Sequence, residues 1–315
     1  MKPVTRPITF VLVAIGLVYL FRSFVAAPTD FPAPYQLTIE RGQTLFSISH
    51  ELADAHVIKS SRLFEIFMIA FGSEKNVSEG EYYFASPVSS LSIAMRISGR
   101  QFGIERIKVT FPEGFTTKQM GDRLAVSFDN FDTTLFMTLT KGKEGYLFPD
   151  TYRFFPSATP DTIVATLKQN FDTKIVTLAD DIRASGRNEK DIVIMASIIE
   201  KEAAGDADRA TISGILWKRL DQGIALQVDA PFLYILGKES KELTMQDLAI
   251  NSPYNTYKHT GLPPTAIGNP GLAAITAAIH PVDSPYLYYL HDADGMIHYA
   301  KTYTEHKANI KKFLK

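Results

Sequence analysis

The chain has 315 residues, of which 45% are hydrophobic and 21% charged, and its 33 Lys and Arg nearly balance its 34 Asp and Glu for a net charge of −1. This length suggests about two domains with a sizeable core, and the near-zero charge argues against a general nucleic-acid binder. The chain has no cysteine, which excludes disulfides, thiolate nucleophiles and cysteine-bound metal centres.

The N-terminus carries an apolar run over residues 8–27, interrupted once by a charge. This run reaches the roughly 20 residues that a membrane-spanning helix needs. Lys2 and Arg6 precede it and predict a cytoplasmic N-terminus with the rest of the chain outside. We therefore predict an anchor and linker over residues 1–34. The alternative is a signal peptide cleaved after the small residues Val25–Ala27, and both interpretations export the rest of the chain.

Two stretches share one strand–turn–helix pattern. Residues 37–53 align without gaps on residues 109–125, and five of the 17 positions are identical. In both stretches an alternating strand pattern leads to a glycine, and a threonine then precedes a helical pattern. The match favours a structural repeat over chance similarity.

The rest of the chain predicts an α+β protein with a small α/β module over residues 35–106 and a mostly helical domain over residues 107–315. Helices are predicted over residues 117–127, 161–183, 189–204, 207–222 and 272–279. Long loops cover residues 144–160, 226–237 and 251–271, and residues 287–290 and 298–300 form a hairpin. Loops of this length in a compact domain usually carry function.

The helix predicted over residues 189–204 is apolar nearly all round, which is typical of a buried helix. Glu200 lies near its C-terminal end, beside Val193 and Ala196 on the helix surface. Desolvation there would favour a protonated carboxyl, as a general acid requires. The alternative is a helix-end glutamate paired with a lysine or arginine. Glu202 points about 160° away from Glu200, so the two cannot form one pair of catalytic carboxyls.

Several loop residues have side chains suited to binding a sugar. Alternation in an extended segment places Gln227 and Asp229 on one face, and a proline-rich loop supplies further tyrosines and asparagines. The candidate substrate-binding residues are Gln227, Asp229, Tyr254, Asn255, Tyr257, Asn269 and Tyr146. Purely structural roles in the loops and core stay open as alternatives.

No metal or cofactor is predicted. The chain contains no standard nucleotide-binding or nucleophile-elbow motif. His280, His291 and His298 are an alternative set of metal ligands, but their spacing matches no common ligand pattern.

A series of motifs in the second half of the chain closely resembles the YceG-like family of endolytic murein transglycosylases. The motifs are EGYLFPDTY at 144–152, ASIIEKE at 196–202, LQVD at 226–229, SPYNTY at 252–257, GLPP at 261–264, NPG at 269–271 and a T-x-x-E-H pattern ending at His306. They occur in the family's order. Residues 39–53 also resemble the start of a LysM-like module.

The resemblance implies a membrane-anchored enzyme that cleaves the β-1,4 bond between N-acetylmuramic acid and N-acetylglucosamine in nascent peptidoglycan, leaving 1,6-anhydro ends. It places the family's catalytic glutamate at Glu200, acting as acid and then as base without a cofactor. It also implies a LysM-like module over residues 35–106, peptidoglycan synthases as partners and a location at the outer face of the cytoplasmic membrane. The alternatives are a cell-wall-binding scaffold with little activity and a metal-dependent hydrolase.

Overall fold

A computed structural model describes residues 23–74, 77–103, 105–203, 205–238 and 240–314, apart from the side chains of residues 206 and 207. None of the helices in these ranges combines the length and apolar character that a bilayer span requires. The anchor predicted over residues 8–27 lies outside the described residues as far as residue 22.

The chain folds as two compact units, the first ending at Arg106 and the second beginning at Ile107. The first unit contains β1 (Tyr35–Ile39), α1 (Leu45–Asp54), α2 (Ser61–Ala70), β2 (Gly80–Phe84) and α3 (Ser90–Ser98). The two strands pair antiparallel along their whole length. Alternate strand residues such as Leu37 and Tyr82 pack with helix residues such as Ile48, so one sheet face and the inner helix faces share a core.

The second unit opens with the same β–α–α–β order. Its elements are β3 (Ile107–Thr110), α4 (Thr117–Ser127), α5 (Thr133–Leu139) and β4 (Thr151–Phe154), with β3 antiparallel to β4. Gly42 and Gly114 both adopt a positive φ, 82° and 74°, in the strand-to-helix turns, where glycine avoids a steric cost. Thr44 and Thr116 each accept a hydrogen bond from the backbone N–H three residues on. The repeated strand–turn–helix element is therefore confirmed.

The remainder of the second unit is mainly helical. It contains α6 (Pro160–Val176), α7 (Ala179–Ala184), α8 (Glu189–Glu202), α9 (Asp206–Asp221), α10 (Ala230–Leu236), a 3₁₀ turn (Ser240–Glu242), α11 (Met245–Leu248), α12 (Leu272–Ile279), β5 (Tyr288–His291), β6 (Ile297–Ala300) and α13 (Tyr303–Phe313). β5 and β6 form the predicted antiparallel hairpin. This mixture of helices with two-stranded sheets confirms the α+β class.

Three expectations about helices differ from the structure. The helix predicted over residues 161–183 is split into α6 and α7. Where α6 ends, the Thr177 hydroxyl donates to the Lys174 carbonyl at 2.7 Å, and such side-chain bonds to the backbone compete with the hydrogen bonds that continue a helix. α10 lies within a predicted loop, since Pro231 in its first turn is compatible with a helix start. The short helices α5 and α11 and the C-terminal helix α13 were not predicted.

α8 is the buried helix of the second unit. All eight residues from Ile192 to Ile199 are buried, and the Asn188 side chain caps the helix by accepting from the Asp191 N–H at 2.8 Å. α12 packs against α8 within the same core, which includes Ala274. Because α8 is buried in this core, the polar residues of its last turn lie at one end of the core.

Candidate active site

A cavity of about 700 Å³ lies at the C-terminal end of α8. Its walls come from α8, the segment before α10, strand β5 and helix α13, and they include Glu202, Asp229, Tyr289 and His306. Ligand pockets in proteins generally span roughly 300–1,000 Å³. The carboxyl, hydroxyl and imidazole groups in the lining suit a polar ligand.

Glu202 is the last residue of α8, and its partly exposed side chain reaches the cavity. The Tyr289 hydroxyl donates to its Oε2 atom at 2.9 Å. The pKa of Glu202 is raised to about 7, chiefly by burial and also by the Asp229 carboxylate, against hydrogen bonds from Tyr289 and the Ala230 N–H. A carboxyl with this pKa is partly protonated at neutral pH, so it can donate a proton and later accept one.

Asp229 faces the same cavity immediately before α10. The Tyr257 hydroxyl donates to its Oδ1 atom at 2.6 Å. Burial and this bond to Asp229 raise the pKa of Tyr257, so the hydroxyl keeps its proton. Gln227 adopts a φ of 52°, and its Oε1 atom accepts from Arg219 at 2.7 Å. The structure thus brings Gln227, Asp229 and Tyr257 together at one cavity wall.

Glu200 meets different surroundings at the same helix end. Its side chain is 5% exposed, its Oε1 atom accepts from Arg209 at 3.1 Å, and its Oε2 atom accepts from the Gly271 N–H at 2.8 Å. Glu200 does not line the cavity. The expected burial is present, and so is the alternative reading of a helix-end glutamate paired with an arginine.

Three other predicted binding residues do not line the cavity. Asn255 is fully buried, and its amide donates to two backbone carbonyls at 2.9 and 2.8 Å. The Tyr254 hydroxyl lies 2.8 Å from the Thr265 hydroxyl. The Tyr146 ring packs edge-on against Phe171 with centroids 5.1 Å apart. These contacts fit the structural roles that the sequence left open.

Asn269 is also fully buried, and it joins two loops. Its Oδ1 atom accepts from the Gly145 and Leu147 N–H groups, both at 2.9 Å. Its Nδ2 atom donates to the Phe115 carbonyl at 3.0 Å and to Glu144 at 3.1 Å. The substrate contact predicted for Asn269 does not fit this arrangement, because both polar atoms of its side chain are already bonded.

Two of the three histidines of the alternative metal set have separate carboxylate partners, and the third lines the cavity. His298 bonds to Asp292 at 2.7 Å, His280 lies 3.4 Å from Asp181, and His291 lines the cavity. Within the described ranges, no group of three or more His, Asp or Glu side chains could hold a metal ion.

Several side chains of the cavity wall were not predicted as site residues, among them Glu202, Tyr289, Arg219 and His306. Glu202 was considered only as a partner for Glu200. Two signals could have found Tyr289 and His306: the tyrosine-rich strand that contains Tyr289, and the T-x-x-E-H pattern, whose histidine received no role.

The fold and site define a class of protein: an α+β chain in which a buried helix ends in a carboxyl of raised pKa at the wall of a polar cavity. The sequence profile of the YceG-like family matches residues 37–312. The chain belongs to the YceG-like family.

Two curated relatives and one solved structure are similar to the chain. The endolytic murein transglycosylase of Bacillus subtilis (strain 168) is 27% identical over 329 residues, covering 95% of this chain and 91% of that protein. The endolytic murein transglycosylase of Streptococcus pneumoniae (strain D39) is 32% identical over 173 residues, covering 53% of this chain and 31% of that protein. A crystal structure of a YceG-like protein from Listeria monocytogenes matches with a TM-score of 0.60 and 28% identity, covering 88% of this chain and 99% of that one.

Proposed function

We propose that the chain is a peptidoglycan lytic transglycosylase with Glu202 as its general acid and base. Its membership of the YceG-like family and its relatives named endolytic murein transglycosylases support the reaction class. One observation supports the residue: Glu202 is the carboxyl at the cavity wall whose pKa is about 7. The substrate is the bond from N-acetylmuramic acid to N-acetylglucosamine in nascent glycan strands.

The proposed reaction uses no water. The protonated Glu202 carboxyl donates its proton to the glycosidic oxygen as the bond from that oxygen to C1 breaks. The 6-hydroxyl of the same muramoyl ring attacks C1, and its proton passes to the Glu202 carboxylate. One strand then ends in a 1,6-anhydro ring, the other gains a free 4-hydroxyl, and the carboxyl returns to its starting state.

The neighbours of Glu202 fit this cycle. The Tyr289 hydroxyl orients the carboxyl through its 2.9 Å bond. The Asp229 carboxylate, held by Tyr257 in the same cavity, would stabilise the positive charge that develops at C1. Glu200, the acid expected from sequence, is the alternative: it pairs with Arg209 and lies outside the lining of this cavity.

A second candidate function is hydrolysis of the same bond by two carboxyl groups. The presence of Asp229 beside Glu202 in the cavity favours it. Hydrolytic glycosidases use such a pair, one group as acid and the other as nucleophile or as base for water. The two reactions differ in the chemical end that they leave on the cleaved strand.

End-group analysis distinguishes these functions. The full chain is incubated with uncross-linked glycan strands, and the products are examined by mass spectrometry. We expect 1,6-anhydro-muramoyl ends. Reducing ends would contradict the lytic reaction in favour of hydrolysis, and an absence of products would favour the cell-wall-binding scaffold.

We also propose that residues 8–27 anchor the chain in the cytoplasmic membrane, with the second unit outside near peptidoglycan synthases, and that the first unit is a LysM-like glycan-binding module. The apolar run with its positive flank supports the anchor. The β–α–α–β order of the first unit and its Gly42-x-Thr44-Leu45 turn support the module. Protease added outside intact spheroplasts should digest the second unit, and full protection would contradict the orientation.

A further inference from the structure

The last residues of the N-terminal apolar run are part of the first unit. The Ser23 carbonyl accepts a hydrogen bond from the Lys59 ammonium at 2.8 Å. Val25 is buried, and Ala27 packs against the core around β1 and β2. These contacts fix the point at which the run meets the folded unit, and that point lies beside the connection between α1 and α2.

The part of the run that precedes this point is short for a membrane span. Residues 8–21 supply 14 uncharged residues before Arg22, and a helix of that length covers roughly 21 Å. The hydrocarbon core of a bilayer is roughly 30 Å thick. A short span is accommodated when the bilayer thins and when flanking residues reach to the interface. An anchor of this length therefore draws the adjoining first unit against the membrane surface.

Helix α2 begins beside the same point and has apolar residues on two sides. Phe64 and Met68 are buried in the core of the first unit. The opposite side, its outer face, consists of the exposed residues Arg62, Ile66, Ile69 and Ala70. Ile66 is 57% exposed and Ile69 is 50% exposed. Helices that are apolar all round are generally covered by protein or by lipid, so this outer face calls for a partner.

The charges around the outer face of α2 suit an anionic lipid surface. Lys59 and Arg62 are both exposed, and Arg62 lies one helical turn before Ile66 on the same side of the helix. Glu65, the acidic residue of α2, is directed towards α1, because its Oε1 atom accepts from the Ser49 hydroxyl at 2.5 Å. Basic side chains beside an apolar helix face are typical of helices that lie in the interface of a bilayer.

We propose that the outer face of α2 is a second membrane contact, with Ile66 and Ile69 inserted into the interface of the bilayer that holds the anchor. The partner is a lipid surface that contains anionic headgroups, which Lys59 and Arg62 meet. This inference rests on the membrane anchor in the proposed function and deepens it. The first unit is then held against the bilayer instead of being suspended from it on a tether.

Depth measurement on the full chain tests this contact. Because the chain has no cysteine, Ile66→Cys and Ile69→Cys each accept a single fluorescent label. The labelled chain is reconstituted into vesicles of phosphatidylcholine and phosphatidylglycerol, and quenching by lipids with a nitroxide on the upper acyl chain is recorded. We expect quenching that places both labels roughly 5–10 Å into the interface.

The matched control is Phe46→Cys. Phe46 is also apolar and is 66% exposed, but it lies on α1, roughly 12 Å of helix away from the end at Asp54 that leads to α2. A label there should not be quenched. Adding Ile66→Asp to the Ile69→Cys chain should reduce quenching to the level of this control, since a carboxylate opposes entry into lipid.

Several results would overturn the contact. These are equal quenching at Ile66 and Phe46, unchanged quenching after Ile66→Asp, and labels on α2 that lipid does not quench. Labels shielded from water only at high protein concentration would instead place a second copy of the chain on the outer face of α2. Flotation of the chain with the vesicles separates the two proposals: a chain that floats without quenching refutes the contact alone, whereas a chain that does not float contradicts the anchor as well.

Discussion

Glu200 and Glu202 lie two residues apart on α8, yet their carboxyls have different partners. Arg209 and the Gly271 N–H both donate to the Glu200 oxygens. Glu202 is bonded by the neutral Tyr289 hydroxyl and faces a cavity. Glu202 therefore combines a pKa of about 7, which lets it exchange a proton at neutral pH, with space beside it for a substrate.

The pKa of Glu202 predicts how the cleavage rate depends on pH. A general acid must be protonated, and Glu202 loses its proton as the pH rises through about 7. We expect kcat/KM to fall about tenfold per pH unit above that value, as a single ionisation requires. A pH profile of strand cleavage measures this, with Glu200→Gln as the control that keeps the profile. A rate that is flat from pH 6 to 9 would exclude Glu202 as the acid.

The same shift predicts a pH-dependent stability. The pKa of Glu202 is about 7 in the folded chain, against the ordinary value of 4.5 for a glutamate. The folded state thus binds this proton more tightly, and the resulting stabilisation is complete below pH 4.5 and lost as the pH rises through about 7. The loss is on the order of 3 kcal/mol.

The variant Glu202→Gln tests this linkage because it cannot ionise. Urea unfolding at pH 5 and pH 8 should show a smaller decrease in the free energy of unfolding for the variant than for the wild type, so that the variant is relatively more stable at pH 8. If the free energy of unfolding decreases equally for both proteins between pH 5 and pH 8, Glu202 is not a buried carboxyl of raised pKa.

At the scale of elements, close backbone packing holds the 144–152 loop against α8. Gly145 has a φ of 91°, and an added Cβ atom would lie 2.6 Å from the Ala266 Cβ and 2.7 Å from the Val193 Cγ1. Gly142, in the same region, has a φ of 76° but no atom within 4 Å of an added Cβ. Substituting each glycine by alanine therefore separates two effects on stability: the cost of a positive φ, which both positions share, and the cost of steric overlap, which arises only at Gly145.

We predict that Gly145→Ala lowers the free energy of unfolding by about 3 kcal/mol, since overpacking adds about 1–3 kcal/mol to the conformational cost. Gly142→Ala should lower it by only about 1 kcal/mol, from conformation alone. Chemical denaturation of both variants measures the difference. Equal losses would mean that the loop does not pack against α8 at Gly145.

Elements with strong local signals were predictable from sequence, whereas the contacts between distant residues in the site were not. The Thr116 cap, the continuous apolar surface of α8 and the turn before β6 are all short-range features, and each appears where the pattern indicates. The partners in the site are distant in sequence: Tyr289 follows Glu202 by 87 residues, and Asn269 follows Gly145 by 124. Periodicity carries no information about such pairs, so it could not show which glutamate faces the cavity.

At the scale of the whole molecule, the two units have separate cores. The residues packed around β1 and β2 all precede Ile107, and the core around α8 lies entirely after it. Every residue that lines the cavity lies between positions 202 and 314. The groups proposed to perform the reaction therefore all belong to the second unit.

This division predicts that residues 107–315 expressed alone fold cooperatively and still cleave soluble, uncross-linked strands. Circular dichroism melting and product analysis would test the fragment, with the full chain as the control. A folded fragment without activity would show that the first unit contributes to the site, and an unfolded fragment would show that the two cores depend on each other.

The assignment of Glu202 as the acid is tested by comparing three full-length proteins: wild type, Glu202→Gln and Glu200→Gln. Each is incubated with uncross-linked glycan strands, and 1,6-anhydro-muramoyl ends are counted by mass spectrometry after folding is checked by circular dichroism. We expect anhydro ends from the wild type and clear turnover from Glu200→Gln. Glu202→Gln should reach at most about a thousandth of the wild-type rate, the order expected for loss of acid catalysis. Anhydro ends from Glu202→Gln at the wild-type rate, or their loss only in a well-folded Glu200→Gln, would contradict the assignment.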